Sequence, residues 1–414
     1  MLLSSHVVKT FYVMRHFENI NHYANVDPRS LLNRKERGTM KLFMKTAKKA
    51  LICSTVLGCS TSLWAENQCS LEFNPPEYRL VNGVNTLTIE AKGTEKNTVA
   101  FPYSDAGEYF SEGRIPVKVG GAWGFADATG KMIIPVRYES ANDFSDGLSQ
   151  VGQRGRILFI GPSGNTILDI PPNRFSWVGQ FSEGLSPIMT SATGTGRLQK
   201  GFIDKRGLII IKPAFDQVLP FDGGMAPAME KGKWGAIDKT GRWVIRPQFE
   251  DPFFFNDGIA VAKLGNKFGL IDRRGQFILQ PQFQSALHVS EGMASVSIEG
   301  RWGFIDRAGK IVIPPKFDEA QPFSEQLAAV RVGELYGFID SSSALVIAPQ
   351  FQRTGRFQSG LSPVAINGKW GFINRKGEMV IAPVFDDASN FSEGVARVSI
   401  NRLYGFIQKP KCTE

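Results

Sequence analysis

The chain has 414 residues, 42% hydrophobic and 21% charged, so a large core is possible and wholesale disorder is excluded. The longest apolar run is short and N-terminal, which excludes a polytopic membrane protein. The net charge of +9 is concentrated early: ten of the 48 Lys/Arg and three of the 39 Asp/Glu lie in residues 1–65. The remainder carries 38 basic against 36 acidic residues and lacks the positive face that nucleic-acid binding requires. With 31 Phe, 43 Gly and only 4 His, the composition points to short aromatic-anchored strands joined by tight turns, and away from metal or acid–base chemistry.

Residues 1–39 are polar and precede a segment with the layout of a secretory signal, so they are expected to be a non-native upstream extension with Met40 as the true start. In residues 40–65, Lys41, Lys45, Lys48 and Lys49 form a positive region, Ala50 to Trp64 an uncharged one, and Ala65 is a small residue at the cleavage position. The uncharged stretch is too short to span a bilayer comfortably, so no transmembrane segment is expected after its removal, and the product is periplasmic or secreted. A second, weaker reading is a lipoprotein box ending at Cys59. Without the leader, Cys69 and Cys412 remain at opposite ends, and an oxidising compartment permits a disulfide between them if those ends meet.

Residues 66–105 read as an N-terminal strand or cap region, 106–408 as a repeat array, and 409–414 as a tail. An aromatic followed by Gly recurs every 34 residues at Trp234, Phe268, Trp302, Tyr336, Trp370 and Tyr404, with Trp123 as the first clear copy. Phe-Ser-Glu-Gly-like turns start at Phe110, Phe144, Phe181, Phe221, Phe255, Val289, Phe323, Phe357 and Phe391. Pro-x-Phe recurs at Phe215, Phe249, Phe283, Phe317, Phe351 and Phe385, with Tyr138 and Phe175 as looser versions, and Asp-x-x-Gly recurs from Asp127 to Asp306, Asn374 substituting. About nine units result, with nine extra residues between the second and third.

Within residues 259–283 the apolar pattern has period two and is broken by Gly and Pro, which predicts short strands. Asp272-Arg273-Arg274-Gly275 suits a turn in which Asp accepts a backbone N–H and Gly takes positive φ. Each unit is therefore expected to be a two- to three-stranded meander, the segment after Pro-x-Phe being a loop or short helical turn. The Gly after the aromatic is expected to let backbone approach that ring. The fold class is all-β, tandem 34-residue β-meanders stacked into one array, as a propeller-like ring or a tightly coiled solenoid.

Lys233-Trp234-Gly235, followed by Ile237-Asp238, Gly241 and Pro247-x-Phe249, resembles the WG (KWG) repeat family of bacterial proteins, as do Arg301–Asp306 and Lys369–Asn374. The resemblance covers about residues 106–408. It implies β-rich tandem repeats, no established catalytic residues, and a binding or scaffolding role.

Chemistry is sparse. His288 is the one histidine after the leader and sits just before a repeat turn, where a surface role is the plainer reading. Metal-ligand spacing is absent and no cofactor is expected; the Gly-rich stretches at 161–164 and 194–196 fall where the period breaks and read as insertion loops. The Asp-x-x-Gly turns carry Lys205, Arg206, Lys239, Arg273, Arg274, Arg307, Arg375 and Lys376, while the Phe-Ser-Glu-Gly turns carry Asp146, Glu183, Asp222, Asp257, Glu291, Glu325 and Glu393. Superposed repeats would align these into a basic row on one edge and an acidic row on another, the basic row serving either solvation or an anionic partner. The expected function is an exported, non-enzymatic repeat protein offering a repetitive surface to an unknown protein or envelope component. The alternative is a carbohydrate-binding or carbohydrate-processing envelope protein, favoured if Trp177 or Trp243 lines an exposed groove beside carboxylates.

Overall fold

One period of the sequence becomes one small antiparallel sheet. A computed structural model describes residues 77–81, 84–89, 97–191, 196 and 198–410, and every regular element among them is a strand. The predicted extension and leader, Cys59, and both Cys69 and Cys412 lie outside the described residues. Nine such sheets are the blades of a β-propeller. Blade 4 shows the pattern: a two-residue strand Gln217–Val218, then Ala226–Glu230, Lys233–Ile237 and Trp243–Phe249, hydrogen-bonded in that order.

The unit is thus four-stranded, and the loop or helical turn expected after Pro-x-Phe is corrected. That segment opens as the next blade's first strand, for example Ser140–Ala141, Glu319–Ala320 and Arg353–Thr354. Two residues are too few to nucleate a helix, and their backbone is already committed to the second strand, as in Gln217 opposite Met229. Blade 5 is three-stranded, with Ile259–Leu264, Lys267–Asp272 and Phe277–Phe283. Pro252 stands one period after Val218, the second residue of blade 4's first strand, and cannot donate a ladder hydrogen bond.

The repeated aromatics have one job. Trp123, Trp234, Phe268, Trp302, Tyr336 and Trp370 are half-buried on third strands, each directly opposite the aromatic that ends the fourth strand: Tyr138, Phe249, Phe283, Phe317, Phe351 and Phe385. The Gly that comes next serves the neighbouring strand and not, as the sequence suggests, the ring. A Cβ on Gly124 would lie 2.5 Å from the Ile134 carbonyl oxygen, and the ladder shifts register between Trp123 and Phe125. The fourth strand bulges inward at this point, and only a residue without a side chain leaves room.

Blades are joined by contacts that recur with the period. Two residues beyond the aromatic position, which holds Ile157 and Lys200 in blades 2 and 3, Phe125, Phe159, Phe202, Phe304, Phe338 and Phe372 each meet the turn Phe of the next blade, at 4.8–5.1 Å between centroids with the rings steeply inclined. In the same turns Ser111, Ser145, Ser182, Ser290 and Ser324 donate their hydroxyls to the carbonyl of the following blade's turn aromatic at 2.6–2.8 Å. The acids of those turns accept the next turn's N–H, as Glu325 does from Gly360 at 2.8 Å.

The same contacts close the ring. Phe406 of blade 9 meets Phe110 of blade 1 at 5.1 Å, and Ser392 donates to the Phe110 carbonyl at 2.8 Å. Glu393 accepts from the N–H groups of Glu112 and Gly113 at 2.9 and 2.7 Å. Blade 9 itself has three strands from the C-terminal end, Asp387–Ala388, Val395–Ile400 and Leu403–Gln408. Its outer position is filled from the N-terminal end. Strands β1 (Glu77–Val81), β2 (Val84–Ile89) and β3 (Asn97–Ala100) form an antiparallel sheet, and just beyond β3 the Tyr103 carbonyl accepts the Tyr404 N–H at 2.9 Å. Tyr103 therefore stands opposite Tyr404 as Phe385 stands opposite Trp370. The last copy, which stops after its Tyr-Gly strand, is completed by residues that the sequence reading places outside the array.

Two stability outcomes are expected. Ser392→Ala should cost about 1 kcal/mol, as much as Ser145→Ala, because each removes one equivalent inter-blade hydrogen bond; chemical denaturation compares them, and an unlinked first and last blade would make Ser392→Ala silent. At Asp340 the expected turn Gly is replaced by Ser343, which holds φ of 69° with its hydroxyl buried and without a partner. Ser343→Gly should stabilise the protein by about 1 kcal/mol by relieving the left-handed strain.

Candidate functional site

The predicted basic and acidic rows are brought together by the structure. Each blade's third and fourth strands are linked by the Asp-x-x-Gly turn, on the same face of the ring as the Phe-Ser-Glu-Gly turns. Lys205 reaches back to Asp146 at 3.1 Å, Lys239 to Glu183 at 3.1 Å and Arg307 to Asp257 at 2.6 Å, each time in the preceding blade. Arg273 donates to the Gly223 carbonyl and stacks over Phe255 at 5.4 Å. Arg206 pairs with Asp204 of its own turn. Arg274, Arg375 and Lys376 are exposed on their turns and form no ion pair among the described residues. Half of the proposed binding row is thus spent on joining blades. The pairs are partly exposed, so each contributes at most about 1 kcal/mol.

A further column, unread at the sequence level, braces the opposite face. The residue after Pro-x-Phe caps the next blade's hairpin: Asp216 accepts from Lys231 N–H at 2.7 Å, Gln352 from Gly368 at 2.9 Å and Asp386 from Asn401 at 2.7 Å. Lys233–Glu250, Arg301–Asp318 and Lys369–Asp386 add cross-blade ion pairs to it. Its signal was available, since 216, 250, 284, 318, 352 and 386 are 34 apart and hold only Asp, Glu or Gln.

The residue immediately before each turn aromatic behaves differently. Around the ring it reads Tyr109, Asp143, Gln180, Pro220, Phe254, His288, Pro322, Arg356 and Asn390. The position that follows is the repeated turn aromatic, with Val289 in its place in blade 6, but this one changes chemistry at almost every blade. In most blades it follows the first strand, the one nearest the axis of a propeller, and in blade 6 His288 lies within that strand, Ser285–Ser290. Arg356 of blade 8 acts electrostatically on Tyr109 of blade 1 and on His288 of blade 6, each two blades away.

These axial side chains are held by their neighbours. The Arg356 N–H donates to Asn390 Oδ1 at 3.0 Å, and Gln180 Nε2 donates to the Asp143 carbonyl at 3.3 Å. Gly107 makes room for Asp143, whose Oδ1 would lie 2.9 Å from a Cβ placed there. Burial, and then the charge of Glu108, pushes the Asp143 carboxyl up. Burial, and then Arg356, pushes the His288 imidazole down, so neutral His288 is the prevailing form at neutral pH. Burial and the neighbouring Glu108 raise the Tyr109 hydroxyl, with Arg356 and Asn390 opposing. The column thus has acidic groups in blades 1 and 2, Glu108 and Asp143, and a cation in blade 8, Arg356. His288, read from sequence as a surface residue, is exposed in the structure.

The tryptophans named for a sugar groove are placed otherwise. Trp243 is half-buried between blades with its ring edge-on to Phe215 at 5.4 Å. Trp177 is 42% exposed, but Lys200 sits over its face at 5.1 Å.

The Asp-x-x-Gly turns make a pH prediction. The Thr240 hydroxyl, and with it the N–H groups of Arg242 and Thr240, holds Asp238 below the usual carboxylate range against a smaller effect of burial. The Ser342 hydroxyl and Ala344 N–H do the same for Asp340. Lowered in the folded state, these groups stabilise the protein above the unfolded carboxylate pKa of about 4, and that contribution is lost as pH falls through the folded values. The thermal midpoint should therefore drop below about pH 4, and a combined Asp238→Asn, Asp340→Asn variant should show a shallower acid limb. Asn374 already makes the same two backbone contacts at 3.0 Å. An unchanged acid limb in a calorimetric pH series contradicts this.

Comparison with known proteins agrees with the geometry. No curated protein sequence matches the chain. Among solved structures, the crystal structure of the eukaryotic initiation factor is similar at 12% identity and a TM-score of 0.50, covering 80% of this chain and 97% of that one. The dihydro-heme d1 dehydrogenase NirN is similar at 13% identity and a TM-score of 0.38, with 64% and 70% covered. At 12% identity the first likeness concerns the fold alone. The WG containing repeat matches residues 123–156, 201–234, 234–268, 268–302, 302–336, 336–370 and 370–404, together more than half of the chain. With seven matched copies built into one ring, the chain belongs to the WG-repeat family.

Proposed function

We propose that this WG-repeat propeller is an exported, non-enzymatic scaffold that binds envelope proteins along the outer strands of its blades. The observation that carries the reading is a repeated exposed surface. Ile133, Ile167, Ile210, Val244, Ile278, Val312 and Val346 occupy one register position on seven successive fourth strands and are 38–50% exposed. All but Ile278 lie next to a buried aliphatic, such as Ile134 or Ile245, that anchors the strand, and Ile278 lies next to the half-buried Leu279. β-Branched residues on an edge strand invite pairing with another chain unless something covers them.

The protein's own N-terminal strands show what such a cover looks like. In blade 9, β3 lies outermost and carries β2 as a further antiparallel strand, Leu87 opposite Val99. In blade 8 the equivalent residue, Val380, is only partly buried and packs into the cluster that holds Leu87 and Val99. Strand addition of this kind uses main-chain hydrogen bonds for affinity and alternate side chains for specificity, and the remaining outer strands offer equivalent edges. Export is supported by the basic and then uncharged run of residues 41–64. The carbohydrate alternative draws no support from the placement of Trp177 and Trp243.

Crosslinking of the full chain in its native envelope, with mass spectrometry of the captured species, tests the reading. A triple variant, Val244→Glu, Ile278→Glu and Val312→Glu, changes exposed positions and should keep its thermal midpoint nearly unchanged. It should lose capture of the partner by about tenfold or more. Undiminished capture, or capture of polysaccharide in place of protein, contradicts the proposal.

A further inference from the structure

The links between neighbouring blades are not evenly distributed. Where most turns carry Ser and then Asp or Glu, blade 4 reads Phe221-Asp222-Gly223-Gly224. An ionised carboxylate only accepts hydrogen bonds, and glycine has no side chain. Among the described residues, therefore, nothing donates from Asp222 to the Phe255 carbonyl, as Ser182 donates to that of Phe221 at 2.7 Å. Nor does blade 4 accept the next turn's N–H, as Glu183 does from Gly224 at 3.0 Å. The junction that follows is mended: Asn256 Nδ2 donates to the Val289 carbonyl at 2.8 Å, and Arg307 pairs with Asp257. The ring contact changes too. Ala236 stands where Phe125 and Phe304 stand in blades 1 and 6, and a small cavity remains beside it, lined in part by Met225, Phe253 and Phe255. Phe253 fills part of the lost ring's place, edge-on to Phe249 at 5.2 Å and to Phe255 at 5.7 Å.

Arg273 bridges this gap on the turn face, stacking over Phe255 of its own blade and donating to the Gly223 carbonyl of blade 4. On the opposite face the junction keeps its usual brace, Lys233 with Glu250 at 2.7 Å. Blade 8, reading Phe357-Gln358-Ser359-Gly360, lacks the same two turn links to blade 9 among the described residues. There Phe372 still meets Phe391 at 5.1 Å, the Arg356 N–H donates to Asn390 at 3.0 Å, and Leu87 and Val99 of the N-terminal sheet pack against Val380 from outside. Among the described residues no added sheet straps blades 4 and 5. The chain path is not the cause. Gly223 has φ of 57°, within the 52–57° of Glu112, Asp146 and Glu183, so the same backbone carries an acid in three other turns.

We infer that the junction of blades 4 and 5 is a gate in the ring, latched by Arg273 on the turn face and hinged on the opposite face at Lys233 and Glu250. Local opening follows the places with the fewest cross-links, while the strands within each blade stay paired. Opening here draws Phe255 away from Met225 and admits solvent to the cavity between them. The gate depends on neither the outer strands nor their partner.

Initial rates of methionine oxidation by dilute hydrogen peroxide, read residue by residue on the full chain by mass spectrometry, test the gate. Met225 is 7% exposed and lines the cavity. Met293 holds the same place in blade 6, at a junction where the Ser290 and Glu291 links both form. Arg273→Gln, an exposed change, should accelerate oxidation of Met225 about tenfold and leave Met293 unchanged. Asp222→Ser combined with Gly223→Glu supplies both missing links and should slow Met225 about tenfold, again with Met293 unchanged. A Met225 rate that either variant leaves unchanged overturns the inference. So does a Met225 rate that moves in step with Met293, because that marks opening of the whole fold.

Discussion

A blade of this protein cannot bury its own apolar faces. Its second and third strands are apolar on both sides, as in Ala226–Glu230 against Lys233–Ile237, and each side needs a neighbouring sheet to exclude water. An open stack would leave two such faces exposed at its ends. The chain resolves this by joining the ends, so that Phe406 packs on Phe110 as Phe372 packs on Phe391. The borrowed outer strand of blade 9 and the Ser392 hydrogen bond are both consequences of having no ends.

The charged residues take a second place in that logic. Lys205, Lys239 and Arg307 look like an electropositive row when the sequence is written out, yet each lies against the acid of the preceding blade. Individually such pairs contribute little; their effect is geometric, because they are placed on the same face as the serine links and reinforce the angle between blades. The opposite face is braced by the acceptors after Pro-x-Phe. With both faces committed to the frame, variety is confined to two places, the outer strands and the axis. The outer strands repeat. The axial column does not repeat.

Much of this was legible in the sequence. Period, strand content and turn chemistry were written in registered columns, and the Asp of each Asp-x-x-Gly turn accepts the backbone N–H groups that its position implies. The first strand escaped notice because two residues carry no period of their own. The ninth outer strand escaped because Phe101-Pro102-Tyr103 places its Pro directly before the aromatic, off the Pro-x-Phe spacing, and lies far from the last copy in sequence. The axial column was invisible for the opposite reason: a search for columns finds what repeats, and these residues are united only by differing. His288 illustrates it. Alone in the sequence it has no neighbour to set its charge, whereas in the fold burial, and then the charge of Arg356 two blades on, lowers its pKa.

Hydrogen exchange at a single amide probes the closure most directly. The Tyr404 N–H donates to the Tyr103 carbonyl at 2.9 Å across the junction of the two ends. If the N-terminal segment is the ninth outer strand, Tyr404 should be protected to the same degree as Trp370, which holds the equivalent place opposite Phe385 within blade 8. A Tyr404 amide that exchanges as freely as one on an unpaired edge, while Trp370 stays protected, would show the ring to be open.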